Sequence, residues 1–140
     1  APGLRSFGLG PNLMPTNGLI KLQIFLNKYT SWAKDRSKSK LKKMLKNSSI
    51  TISLWNRQEL IGFGRATSDG VFRAVIWDVV VANNLQGKGY GRIIINELIN
   101  SRVIKNSEKV YLMTTNCTDF YTQVGFKINV SQKLLYYKNN

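Results

Sequence analysis

The stretch Gln86-Gly87-Lys88-Gly89-Tyr90-Gly91-Arg92 decides the reading of this chain. It follows the apolar run Val79-Val80-Val81 and opens an amphipathic segment. Glycines on alternate positions let a backbone turn tightly and aim several N–H groups one way. When such a turn leads into a helix it forms an anion cradle, because the amides and the positive helix end act on the same charge. The segment therefore predicts a phosphate-bearing ligand over the amides of residues 87–92, with Lys88 and Arg92 adding positive charge.

Composition narrows the classes. With 140 residues, 43% of them hydrophobic, the chain is long enough for one cored domain and is not disordered by composition. That domain is expected over residues 19–140. Residues 1–18, rich in glycine and proline, are expected to be a flexible arm or an expression remnant, with Met14 a candidate native start. No apolar run approaches the roughly 20 residues that span a bilayer. The net charge of +14 suits an acidic partner: a polyphosphate coenzyme, a nucleic acid or an acidic protein surface. The absence of histidine excludes a Ser-His-Asp triad, a Cys-His pair and a His-ligated zinc, so no metal is expected. The single cysteine, Cys117, excludes an internal disulfide and fits a reducing compartment.

Periodicity places the elements. Leu19 to Tyr29 reads as a helix, and Lys34 to Lys46 as a second helix with Leu41, Met44 and Leu45 on its apolar face. Its other face, with Arg36 among the lysines, reads as solvated. Ser49 to Trp55, Leu60 to Thr67 and Val71 to Val81 read as strands, separated by turns at Asn56–Glu59 and Ser68-Asp69-Gly70. The glycine stretch starts a helix whose apolar face holds Ile94, Ile95, Leu98, Ile99 and Val103. Val110 to Met113 reads as a buried strand. Asp119 to Val124 reads as a short helix stopped by Gly125, and Lys133 to Tyr137 as a closing strand. The order predicts an α/β fold around a mixed, mostly antiparallel sheet with flanking helices.

Rival glycine motifs fail residue by residue. A Walker loop needs Ser or Thr after its lysine, and Lys88 is followed by Gly89. The dinucleotide fingerprint needs a third glycine at position 92, which is arginine. What remains, Gln86, Gly89 and Gly91 in a Q-x-x-G-x-G spacing after a strand, resembles the coenzyme-A loop of the GNAT superfamily of N-acetyltransferases. The downstream residues Asn116, Asp119-Phe120-Tyr121 and Val124-Gly125-Phe126 also resemble that superfamily. Ile61 to Phe72, followed by Ile76 to Val81, is similar to its cyanobacterial and plastid branch, which holds serotonin N-acetyltransferase-like enzymes.

The resemblance implies an acyl-CoA N-acyltransferase fold and acetyl-CoA as acetyl donor. It implies that the backbones of Val79, Val80 and Val81 pair with the coenzyme's pantetheine amides, as a sheet edge pairs with a peptide. It implies that the loop Gln86, Gly87, Lys88, Gly89, Tyr90, Gly91 and Arg92 holds the pyrophosphate, and that Asn116 and Phe120 line the coenzyme arm. The amide of Val80 is expected to steady charge on the thioester oxygen, and Tyr121 to protonate the leaving thiolate. With no histidine available, Asp78 is the expected base, its pKa raised by its neighbour Trp77. Direct transfer in a ternary complex is expected over a route through Cys117, which lacks an activating partner.

The acceptor implied is a primary amine: an arylalkylamine such as serotonin, a protein lysine or a protein N-terminus. A bacterial cytoplasm or a plastid stroma fits, and a homodimer is compatible. The competing classes are a basic nucleic-acid-binding module and a catalytically silent coenzyme-A-binding fold.

Overall fold

The computed structural model describes residues 4–7 and 17–139. Strand β1 is Leu4–Phe7, followed by helices α1 (Gly18–Tyr29) and α2 (Lys38–Asn47). An antiparallel meander comes next: β2 (Ile50–Asn56), β3 (Glu59–Ser68) and β4 (Arg73–Val81). A short 3-10 turn, Asn83–Leu85, leads to α3 (Tyr90–Ile99), then β5 (Lys109–Leu112) and α4 (Thr118–Gln123). The sheet runs β1-β2-β3-β4-β5, with only the β4–β5 pair parallel because α3 crosses between them.

Two apolar clusters sandwich the sheet. Leu22, Phe25 and Leu26 of α1 and Leu41 and Leu45 of α2 pack on Trp55, Leu60, Phe63 and Val80. On the other face Ile94, Ile95 and Leu98 of α3 pack on Ile52, Leu54, Ile61, Ala66 and Ile76. Each of the three α3 residues is fully buried, which stabilises by about 1.5–3 kcal/mol apiece.

Small residues on β3 let α3 come close. A Cβ built at Gly64 would stand 2.7 Å from the Ile94 Cγ2, and one at Gly62 2.9 Å from the Ile94 Cδ1. Gly64→Ala should therefore cost about 1–3 kcal/mol by overpacking, read as a lower urea midpoint at constant m-value. A stability equal to wild type would show that α3 shifts freely on the sheet.

Several expectations are corrected. Residues 4–7, expected in a flexible arm, form a strand paired with β2, and Gly18 already belongs to α1; residues 1–3 and 8–16 lie outside the described residues. Helix α2 starts at Lys38, not Lys34. Asp35 has φ 62, which breaks a right-handed helix, and the Ser37 hydroxyl accepts from the Lys40 N–H as N-cap. Helix α3 ends at Ile99, so Val103 leaves its face and is exposed while Ile104 is buried. Residues 133–137, expected as a strand, pair with no strand among the described residues, and Leu134, Leu135, Tyr136 and Tyr137 are exposed. Strand propensity without a ladder to join does not make a strand.

Candidate active site

Strand β5 pairs with β4 only from Arg73 to Ile76. Beyond that point Trp77 to Val81 keep β3 on one side and, among the described residues, no strand on the other. The cause of the split lies in β4. Phe63 faces Val80 and Arg65 faces Trp77, so Gly64 alone opposes both Asp78 and Val79. That is a β-bulge, and Asp78 absorbs it with φ 55 in the left-handed region.

The bulge reverses which way each residue faces. Ile76 packs on the α3 side, yet after the bulge Val79 and Val81 pack there and Val80 joins the α1–α2 side. Backbone groups alternate in the same way. The Ala82 N–H donates to the Ile61 carbonyl of β3 at 2.9 Å, so by the period of two Val80 also turns its polar backbone to β3. Val79 and Val81 then point theirs at the open edge. Val80, expected to donate to a thioester oxygen, thus turns its N–H toward β3, and it is Val79 and Val81 that face the open edge.

The open edge leads to the glycine loop. Gly87 and Gly89 have φ of 82° and 89°, which side-chain-bearing residues rarely adopt, and no atom lies within 4 Å of a Cβ built at either. The first intrahelical bond of α3 runs from the Ile93 N–H to the Gly89 carbonyl. The N–H groups of Tyr90, Gly91 and Arg92 therefore precede the helical ladder, and among the described residues no side chain caps them. Lys88 and Arg92 are exposed and form no ion pair among the described residues. The Tyr90 ring packs on the α3 core, so its contribution here is its N–H. Gln86 turns back: its Nε2 donates to the Val81 carbonyl at 3.3 Å and fastens loop to strand. Gly91 has a different reason to be glycine, since its built Cβ would lie 3.1 Å from the Phe120 Cζ. Phe120 thus packs α4 onto the start of α3.

Tyr121 stands beside Phe120, ring centroids 5.0 Å apart, and 5.9 Å from Phe126. Burial, with a smaller contribution from Cys117, pushes its hydroxyl up to about 12. It lines a cleft of about 550 Å³ together with Val75, Trp77, Tyr111, Leu112 and Met113. Asn116 is exposed in the β5–α4 loop, where its Oδ1 accepts from the Cys117 Sγ at 3.4 Å.

Asp78 departs most from its expected role. Its side chain is 6% exposed and every acceptor direction is taken. Oδ2 accepts from the Arg65 Nε at 2.9 Å and the Arg36 Nη1 at 3.0 Å; Oδ1 accepts from the Trp32 Nε1 at 3.1 Å and the Arg36 Nη2 at 3.4 Å. Burial alone would raise the carboxyl's pKa, but the hydrogen bonds and charges of Arg36 and Arg65 outweigh it and hold the group below the ordinary range. A carboxylate offers about four lone-pair sites. Asp78 has none left for an ammonium proton, and the raised pKa expected from Trp77 is not found.

Residues 21–126 match the family described as Acetyltransferase (GNAT) family. The chain belongs to the GNAT family. It is 42% identical over 100 residues to the uncharacterized N-acetyltransferase ycf52 of Pyropia yezoensis, covering 68% of this chain and 57% of that protein. It is 37% identical over 71 residues to the chloroplastic GCN5-related N-acetyltransferase 2 of Arabidopsis thaliana, covering 50% of this chain and 28% of that one. The chain thus spans little more than half the length of the first relative and less of the second. A GNAT acetyltransferase structure from Streptococcus pneumoniae superposes with a TM-score of 0.77 at 17% identity, over 97% of this chain and 98% of that one, which is a likeness of fold.

Three residues of this GNAT chain escaped the sequence reading: Trp32, Arg36 and Arg65. Arg36 was grouped with the solvated lysines of α2, but it lies before that helix and turns to Asp78. These residues stand 46, 42 and 13 positions from Asp78, and no local spacing signals the cluster.

Proposed function

We propose that this chain moves an acetyl group from acetyl-CoA to a primary amine by direct attack in a ternary complex. The observation that carries the reading is the open edge of β4 running into a glycine loop with three uncapped helix amides. Val79 and Val81 offer that edge to a chain of two amides, as in strand addition. The amides of Tyr90, Gly91 and Arg92 and the charges of Lys88 and Arg92 suit a pyrophosphate. Asn116 and Phe120 flank the coenzyme arm at the start of α4.

Acetyl-CoA supplies an activated carbonyl at the bulge, where the Val79 N–H stabilises charge on its oxygen. The amine loses its proton to water, because Asp78 is saturated. Tyr121 gives a hydrogen bond to the departing sulfur. A phenol at about 12 is a weaker acid than a thiol near 8.5, so full transfer to a thiolate would run uphill by about 5 kcal/mol. The bond, not the proton, is what Tyr121 contributes, and the thiolate is protonated by solvent.

Tyr121→Phe should lower kcat by about ten-fold or more and leave the acetyl-CoA Kd within about two-fold. An unchanged kcat would remove Tyr121 from the chemistry. The cleft beside Tyr121 combines apolar and aromatic walls, Val75, Trp77, Tyr111, Leu112 and Phe126 among them, with Lys127, Lys133 and several neutral polar side chains, so it suits an acceptor amine on a body of mixed polarity. A panel of arylalkylamines, lysine peptides and N-terminal peptides, read by free thiol release, tests this reading. Release with none of them, despite acetyl-CoA binding, would instead favour a silent coenzyme-A-binding fold. The chloroplastic relative supports a plastid or cyanobacterial setting.

A further inference from the structure

An alkylamine arrives at neutral pH mostly as an ammonium ion, so the charge of the cleft beside Tyr121 decides which bodies it admits. Lys127 and Lys133 line that cleft, and among the described residues no Asp or Glu does. The chain has 7 acidic residues, and the fold directs them elsewhere. Asp78 is buried under Arg36 and Arg65. Glu108 pairs with Arg73 at 3.1 Å. Asp69 holds the turn between β3 and β4, its Oδ1 accepting the N–H groups of Val71 and Phe72 at 2.8 and 2.7 Å. Asp35, Glu59 and Glu97 belong to the α1–α2 loop, β3 and α3, which give the cleft no residue. Asp119 is on α4 but on the wrong side of it. Thr118, Tyr121 and Thr122, at i, i+3 and i+4, face the cleft, and Asp119 is turned about 100° from Thr118.

Local structure brings the two lysines together. The Phe126 N–H donates to the Tyr121 carbonyl at 3.0 Å, which fixes the backbone one residue before Lys127. Asn129 then turns the chain. Its Oδ1 accepts the N–H groups of Ser131 and Gln132 at 3.0 and 3.2 Å, and its Nδ2 donates to the Gln132 Oε1 at 2.7 Å. Past this turn Lys133 comes back to the cleft that Lys127 lines. Both lysines are exposed, and neither forms an ion pair among the described residues, so their charges are uncommitted.

We infer that the acceptor is a small amine whose apolar body also carries a carboxylate, and that Lys127 and Lys133 receive that carboxylate while the amine turns to Tyr121. A body with further positive charge, such as a polyamine or a lysine-rich peptide, meets two like charges there and no counter-ion. The lysines set specificity and take no part in the chemistry. The inference rests on the acetyltransfer reading for the role of the amine, but the preference for a carboxylate belongs to the cleft and is read by binding alone.

Three amines on one benzene body make the test: 4-(2-aminoethyl)benzoate, its neutral carboxamide, and the diamine with an aminomethyl group in place of the carboxylate. Binding is followed by the chemical shifts of the amides of residues 110–114 and 127–134, and turnover by thiol release from acetyl-CoA. Exposed ion pairs are weak singly, so the two lysines together should give the benzoate about a ten-fold lower Kd than the carboxamide, with the diamine weakest. The gap should shrink to about two-fold in 1 M salt. Lys127→Gln combined with Lys133→Gln should also bring benzoate and carboxamide within about two-fold, and Lys127→Glu with Lys133→Glu should reverse the order in favour of the diamine. Lys40→Gln with Lys43→Gln, on α2 and outside the cleft, should leave the order unchanged.

Equal Kd values for the three amines, or no shift with any of them at millimolar concentration, overturn the inference even if amines are acetylated. A preference lost as fully in the α2 variant as in the cleft variant also overturns it, because the charge of the whole molecule is then the cause. The expected order of Kd values with no thiol release upholds the cleft's preference and instead sinks the acetyltransfer reading.

Discussion

Gly89→Glu is expected to abolish acetyl-CoA binding, so that calorimetry records no heat at concentrations that saturate the wild-type chain. Two effects add. Gly89 sits at φ 89, where a side chain costs about 1–3 kcal/mol of backbone strain. Its position as N-cap of α3 also places the new carboxylate beside the amides of Tyr90, Gly91 and Arg92. There the carboxylate would satisfy those donors itself and repel a pyrophosphate. Two unit charges about 4 Å apart near a protein surface interact with about 4 kcal/mol. Together these exceed three orders of magnitude in Kd.

The fold should survive, because no atom lies within 4 Å of a Cβ at this position. Gly89→Ala separates the two effects. It brings strain without charge and should weaken binding only about ten-fold. A Glu variant that binds as well as wild type would remove the cradle, and with it the proposed site for the coenzyme.

Asp78→Asn is expected to destabilise the chain by about 3 kcal/mol at pH 7, the lower end for breaking a buried ion pair, since Arg36 keeps 30% of its side chain in solvent. The amide keeps one oxygen but aims an N–H at two guanidinium groups that still need an acceptor. The loss should depend on pH. The native carboxyl is held below its ordinary range, whereas in the unfolded chain it titrates near 3.9. Its stabilisation is therefore complete above about pH 4–5 and disappears as pH falls through the native pKa. Urea unfolding at pH 7 and pH 3 should show the gap between wild type and variant closing at the acid end. A gap that stays constant would mean that the loss is steric and not a matter of charge.

The glycine loop and the helices were legible because their signals are local. Positive φ at positions 87 and 89 admits glycine almost alone, and the α3 stripe of Ile94, Ile95 and Leu98 declares its face by spacing. The stop of α4 at Gly125, φ 109, is another backbone demand written in one residue. The start of α2 was misread because the lysine run continues through Lys34 and Arg36, while the break is made by the conformation of Asp35. The strand expected at residues 133–137 failed for a related reason: propensity describes a side chain, whereas a strand needs a partner edge.

The sequence by itself therefore determined the order of elements from α1 to α4 around a mixed sheet, and the family, through backbone requirements that a few neighbouring residues satisfy alone. Tertiary structure decided what Asp78 does and which valine faces the open edge. One bulge opposite Gly64 reverses the direction of every residue after it, and two arginines from distant segments reverse the sign of a carboxyl shift that burial alone would give. Direction along a strand and the charge state of a buried group are sums over neighbours, and those neighbours exist only once the chain has folded.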